Sequence, residues 1–169
     1  AAPDAWEDHA ATLRQFHEIL TRQGRSTAIL DPLRPPPSLY FSGITLAILD
    51  TPSRQRLFRL LNRAKSNGCR VVFDNNFRPK LWPDRKLAQS IYLEAFASCH
   101  TAMITLDDHQ AVFECTSLDD ALVHAQDLAI PEVVIKRGAD STLVRQELTC
   151  EWLRIPTQAV QQVIDTTAA

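Results

Sequence analysis

Glycine is scarce in this chain, with four residues in 169. That scarcity excludes the glycine-dependent phosphate cradles. Neither G-x-G-x-x-G nor G-x-x-x-x-G-K-[ST] occurs, so a dinucleotide fingerprint and a P-loop are both absent. The four cysteines, Cys69, Cys99, Cys115 and Cys150, form no C-x-x-C pair. Free, mostly buried thiols are expected, with no disulfide framework and no structural zinc. The five histidines, His9, His17, His100, His109 and His124, show no metal-ligand spacing. A basic excess is also missing. The formal net charge is −2 and the pI about 6.2, which argues against a nucleic-acid partner. No apolar run reaches the length of a membrane span, so no membrane partner is expected. The opening Ala1-Ala2-Pro3-Asp4 has none of the features of a signal peptide. Together these absences point to a cytoplasmic protein, or to a piece whose natural start lies elsewhere.

What is present suits one globular α/β domain. The chain is 45% hydrophobic and 22% charged, enough for a real core. Asp4 is placed to cap a first helix, with Trp6, Ala10, Leu13, Phe16 and Leu20 at helical spacing and Gly24 at its end. Residues 27–40 then carry four of the ten prolines and read as a stiff connection. Residues 39–44 read as a short buried strand ending in a turn at Gly43, where a missing side chain would let a ligand approach the backbone. Asp50 or Thr51 caps a helix with Pro52 in its first turn; Leu57, Leu60, Leu61 and Ala64 form its apolar stripe and Asn67-Gly68 closes it. A strand follows at residues 70–74. Strand, helix, strand makes a parallel, right-handed βαβ unit.

The alternation continues. Asp84 caps a helix with Leu87, Ala88, Ile91, Ala95 and Phe96 inward. Residues 101–106 form a strand, and Asp107 and Asp108 start a short helix holding Ala111, Val112 and Phe113. Those adjacent carboxylates suit a helix N-terminus better than a metal. Ser117 opens another helix, with Ala121, Leu122, Ala125 and Leu128 inward and Pro131 after it. Residues 132–136 form a fourth strand, 137–140 a turn, and 141–145 a hairpin partner. Further strands are expected at 148–155 and 160–164. Asp165-Thr166-Thr167-Ala168-Ala169 then reads as the approach to a helix N-terminus, a place where anions bind. The chain is therefore expected to be cut before a helix.

One stretch organises the rest: Val71-Val72-Phe73-Asp74-Asn75-Asn76-Phe77-Arg78-Pro79-Lys80-Leu81-Trp82. Three apolar residues make a buried strand. Asp74, two amides and Arg78 follow at once, and prolines stop regular structure. In open α/β sheets, ligands bind beyond the carboxyl ends of strands. Arg78 suits a carboxylate or a phosphate, which it grips with two parallel hydrogen bonds. The competing reading is that the Asx residues only shape a turn.

Four segments in order resemble the ribokinase-like (PfkB-type) sugar kinases. Asp74-Asn75-Asn76-Phe77-Arg78-Pro79-Lys80-Leu81-Trp82 resembles their D-x-N-x-R-x-x-L-W segment, and is most similar to the 2-keto-3-deoxygluconate kinase branch. Val134-Ile135-Lys136-Arg137-Gly138-Ala139-Asp140 resembles the nucleotide-side K-x-G-A-x-G segment. Val163-Ile164-Asp165-Thr166-Thr167-Ala168-Ala169 is similar to the start of the D-T-x-[GA]-A-G-D signature. Tyr40-Phe41-Ser42-Gly43-Ile44-Thr45 matches the strand end before the sugar pocket.

The resemblance implies a three-layer α-β-α fold with a mostly parallel sheet. It divides residues 1–169 into a helix and Pro-rich connection (1–38) and a sheet core with a nucleotide-side hairpin (39–169), a single partial domain. It also implies phosphoryl transfer from Mg-ATP to 2-keto-3-deoxygluconate. Arg78 would reach the acid's carboxylate and the transferred phosphoryl group. Gly43 and Ile44 would line the sugar pocket. Asn76 would sit by the ATP phosphates. Lys136, Arg137, Gly138, Ala139, Asp140, Ser141 and Thr142 would cradle the nucleotide. Asp165 and Thr167 would help hold a monovalent cation such as K+. Ala168 and Ala169 would begin the anion hole that stabilises charge on the transferred phosphate. The parent is expected to be a homo-oligomer.

Three departures stand out. Thr105-Leu106-Asp107-Asp108-His109 replaces the family's N-x-x-E segment, whose Glu organises magnesium. Ser141 stands where Gly is common. The family's catalytic Asp falls two positions beyond Ala169, so this piece alone is expected to be inactive. Other readings are a PfkB-type kinase acting on fructose, ribose or a nucleoside, and a non-catalytic α/β ligand-binding module.

Overall fold

The computed structural model describes residues 38–148 and 151–158. The expected helix at 4–24, the proline-rich connection up to residue 37 and the strand at 160–164 lie outside them, as do Cys150, His9 and His17.

Six strands form one sheet in sequence order. They are β1 (Ser38–Ser42), β2 (Arg70–Asp74), β3 (Thr101–Thr105), β4 (Glu132–Lys136), β5 (Thr142–Arg145) and β6 (Leu153–Ile155). The first four are parallel; β5 and β6 run back antiparallel at one side. Helices α1 (Gly43–Ile48) and α2 (Thr51–Ser66) connect β1 to β2. Helix α3 (Arg85–Ser98) connects β2 to β3, and α4 (Leu106–Phe113) with α5 (Leu118–Asp127) connects β3 to β4. Each crossover steps one strand in the same direction. Right-handed crossovers of that kind place their helices on one face of the sheet.

Burial agrees. Phe41, Val71, Phe73, Ala102, Ile104, Val133, Ile135 and Leu143 point to that face and are sealed beneath the helices. On the opposite face Val72, Met103, Val134 and Val144 are only half-buried. The described residues thus give the expected mostly parallel sheet with one helical layer against it.

The helices start where capping chemistry says. Asp50 accepts the Ser53 N–H at 2.9 Å, Asp84 accepts the Leu87 N–H at 2.8 Å, and Ser117 accepts the Asp120 N–H at 3.1 Å. Gly68 closes α2 at φ +81°, a conformation that costs glycine little.

Four expectations change. Residues 43–48 are helical rather than a strand end and turn, because Ser42 and Thr45 form a capping box that starts a helix there. Phe58 takes the buried position expected of Leu60, and Leu60 is half-buried. In α3, Tyr92 is inward and Leu87 is exposed, since Ala88, Tyr92, Ala95 and Phe96 keep the tighter helical spacing. Of the strand expected over 148–155, the described residues form β6 at Leu153–Ile155.

One polar contact sits inside the helical layer. His109 of α4 is buried and meets His124 of α5 ring to ring, with 3.0 Å between Nε2 and Nδ1. Burial pushes the His109 pKa down to about 3, with the neighbouring His124 adding to it. His124 is also lowered, chiefly by burial. Both rings are therefore neutral at pH 7. Cys69 and Cys99 are buried thiols and Cys115 is half-buried, and burial pushes Cys99 up to about 12.

Candidate active site

The parallel strands share one carboxyl edge, and the polar residues that follow them meet there. Asp74 ends β2. Lys136 ends β4, two strands away. Its ammonium reaches both carboxylate oxygens, Oδ2 at 3.2 Å and Oδ1 at 3.4 Å. The Tyr40 hydroxyl of β1 donates to Asp74 Oδ2 at 3.1 Å. Pairing explains the reach. Asp74 lies opposite Met103, and Thr105 lies opposite Lys136, so both charged side chains rise on the same face.

Asn75 locks the corner to the sheet. Its side-chain NH2 donates to the Thr105 carbonyl at 3.0 Å, and its side-chain oxygen accepts the Thr105 N–H at 2.9 Å. Its backbone N–H extends the ladder to Met103 O at 3.0 Å. Its carbonyl accepts from the Tyr92 hydroxyl at 2.6 Å. Asn76 then turns the chain at φ +22°, unusual for a residue with a side chain. The Phe77 N–H donates to Asp108 Oδ2 at 3.1 Å, and the Phe77 ring is buried against Tyr92.

Arg78 stands at the rim, its side chain about half exposed at 48%. It donates to the Phe77 carbonyl at 2.9 Å and lies 3.7 Å from Asp108. At that distance the carboxylate steers the guanidinium without consuming its paired donors. Burial pushes the Asp108 carboxyl above its ordinary value, against the pull of the Phe77 N–H and Arg78. Pro79–Leu81 make a short 3-10 turn, and the buried Trp82 anchors it under Arg54, whose guanidinium is 5.8 Å from the ring.

On the β4 side, Arg137 to Ser141 form the hairpin turn. Arg137 folds back onto Ser141, with Nε 2.7 Å from its carbonyl and Nη2 2.6 Å from its hydroxyl. Gly138 takes φ +62°, and Gly138, Ala139 and Asp140 are exposed. Thr157 donates to the Asp140 carbonyl at 2.5 Å. Ser141 therefore ties the turn internally where the family pattern has Gly.

The structure gathers Asn76, Arg78 and Lys136 at this edge, with Gly43 and Ile44 starting α1 beside the corner. A Cβ at Gly43 would fall 2.1 Å from the Asn75 carbonyl, so the close approach there is by the protein itself. Asp165, Thr167, Ala168 and Ala169 lie outside the described residues. Sequence reasoning missed the Asp74–Lys136 pair, the Asn75 clamp, Asp108 as a tie to the corner, and Tyr92. Only Tyr92 left a local signal, its place four residues after Ala88 and four before Phe96.

A mostly parallel sheet whose carboxyl edge collects an acid, an ammonium and a guanidinium has the design of an open α/β ligand-binding protein. The comparisons give the kind. Residues 17–169 match the pfkB family carbohydrate kinase sequence model, and the chain belongs to that family. A 2-dehydro-3-deoxygluconokinase of Escherichia coli strain K12 is 40% identical over 168 residues, 97% of this chain and 52% of that protein. One from Dickeya dadantii is 38% identical over 135 residues, 78% of this chain and 43% of that protein. Aminoimidazole riboside kinase from Salmonella enterica shares the fold at TM-score 0.66 and 26% identity, over 78% of this chain and 45% of that one. Fructokinase from Vibrio cholerae O395, in its fructose-, ADP- and calcium-bound form, gives TM-score 0.67 at 27% identity, over 77% and 41%. The chain spans about half the length of the curated relatives it matches.

Proposed function

We propose that the whole protein is an ATP-dependent kinase that phosphorylates 2-keto-3-deoxygluconate, the substrate also called 2-dehydro-3-deoxygluconate, at its terminal hydroxyl. The observation that carries this reading is Arg78. Its guanidinium is half exposed at the ligand edge, steered by Asp108 and the Phe77 carbonyl, and free to bind a carboxylate with two parallel bonds. Relatives named for this substrate, at 34–40% identity, support it.

In this reading Gly43 and Ile44 border the sugar and Arg78 holds its carboxylate. Asn76 and Lys136 face the ATP phosphates, and the turn from Arg137 through Gly138, Ala139, Asp140 and Ser141 to Thr142 borders the nucleotide. Ala168 and Ala169 begin the anion hole, with Asp165 and Thr167 by a monovalent cation, K+. Mg2+ would be held by one or two carboxylates together with the substrate phosphates. Asp107 and Asp108 are the carboxylates that would organise it, and the ion would neutralise charge on the transferred phosphoryl group. We place the protein in the cytoplasm and, as the family resemblance suggests, as a homo-oligomer.

The test is ADP release by the whole protein with Mg-ATP. Turnover of 2-keto-3-deoxygluconate well above that of fructose or aminoimidazole riboside supports the reading. Preference for either comparator overturns the substrate, and no turnover with any sugar overturns the kinase.

A further inference from the structure

We propose that Tyr92 is a positioning residue that fixes the spacing between the sugar side and the phosphate side of the site. This rests on the kinase reading above. Tyr92 touches no predicted ligand. It lies in α3, fully buried, and its hydroxyl reaches the underside of the corner.

Two contacts of that hydroxyl matter. It donates to the Asn75 carbonyl at 2.6 Å. That carbonyl belongs to the peptide unit entering Asn76. The peptide unit leaving Asn76 is held by Asp108 through the Phe77 N–H. The two bonds therefore pin both peptide planes around Asn76, which keeps its positive φ. Two fixed planes set the direction of the Asn76 side chain and the position from which Phe77 leads into Arg78.

The second contact is with Gly43. A Cβ placed there would stand 1.9 Å from the Tyr92 hydroxyl oxygen and 2.7 Å from the ring carbon that bears it. The backbone that begins the sugar side therefore rests directly on this hydroxyl. One oxygen is thus the shared spacer for Gly43–Ile44 on one side and Asn75–Arg78 on the other. The ring cannot drift to follow them. Phe73, Phe77 and Trp82 contact it edge to face, with centroids at 5.5, 5.9 and 5.8 Å. Phosphoryl transfer needs the acceptor hydroxyl and the phosphoryl group in line, so a spacer between their two supports bears directly on rate.

The test is Tyr92→Phe in the whole protein, which keeps all three ring contacts and removes the oxygen. Two quantities are read. Amide hydrogen exchange over residues 75–78 should rise about tenfold while exchange in α2 stays at the parent rate. With Mg-ATP, kcat/KM for the sugar acid should fall about 10- to 100-fold. Exchange that is unchanged at the corner, or kcat/KM within about twofold of the parent, overturns the proposal. A uniform rise in exchange across the sheet also overturns it, because it marks a purely structural role. A parent that turns over no sugar defeats the kinase reading, and the exchange result then still decides whether Tyr92 anchors the corner.

Discussion

The two edges of the sheet carry the same kind of charge pair and finish it differently. At the amino edge Arg70 of β2 pairs with Glu132 of β4. Thr101, on the strand between them, donates to Glu132 at 2.6 Å and accepts from Arg70 at 3.3 Å. His100 accepts the Val71 N–H nearby at 3.1 Å. The amino-edge pair is closed by its own intervening strand. At the carboxyl edge Asp74 and Lys136 face each other across β3 with Met103 and Thr105 between them, and their contacts are long. Arg78 keeps most of its donors at the rim. An ion pair that is completed locally holds the sheet together. One that leaves hydrogen-bonding capacity unspent, at the edge where an open α/β sheet binds ligands, is a place for a substrate.

Three variants would break or sharpen that contrast. The largest effect is expected from Lys136→Met. It leaves the nearly buried Asp74 carboxylate without its cation, which costs about 1–2 kcal/mol after solvent screening of a partly exposed pair. It should also raise KM for ATP about tenfold or more. Denaturant unfolding and steady-state kinetics read both, and loss of stability with normal kinetics would make this edge resemble the other.

The acid sensitivity of the helical layer comes next. His109 is held at about 3, against 6.5 for a free histidine. Below pH 6.5 the unfolded chain binds a proton that the folded chain refuses. The stability is full above that pH and is lost as pH falls toward 3, by up to about 1.4 kcal/mol per unit. The urea midpoint of the parent should therefore drop more steeply from pH 7 to pH 5 than that of His109→Leu. Equal slopes would contradict this.

The smallest effect belongs to the amino edge. Glu132→Gln should cost about 0.5–1 kcal/mol, since Arg70 is more than half exposed, and leave the kinetics unchanged. A kinetic defect there would remove the distinction between the edges.

Much of the frame was legible because it is local chemistry. Asp50, Asp84 and Ser117 announce helix starts through side-chain caps, and apolar runs ending in Asp74 or Lys136 announce strand ends. Arg78 stands where a strand opens into polar residues, so sequence position marks it, whereas Lys136 was marked by the family resemblance of its segment. Gly43 misled because a glycine after an apolar strand reads as a turn, while the capping box of Ser42 and Thr45 starts a helix there. Contacts between distant segments left no periodic trace. Asp108 reaches Phe77 across 31 positions and Asn75 reaches Thr105 across 30, and only the assembled sheet brings them together. The histidine pair is hidden for the same reason, since it forms only when α4 meets α5. Arg137 and Ser141, expected at the nucleotide, are also partners of each other.

The most direct test of the ligand edge is the preference ratio of Arg78→Ala. It is kcat/KM for 2-keto-3-deoxygluconate divided by kcat/KM for fructose, taken for the whole protein with and without the substitution. If Arg78 holds the substrate carboxylate, the ratio falls about 100-fold, because the acid loses its clamp and the neutral sugar never used it. A ratio that does not move, with both substrates slowed alike or neither slowed, would contradict the account.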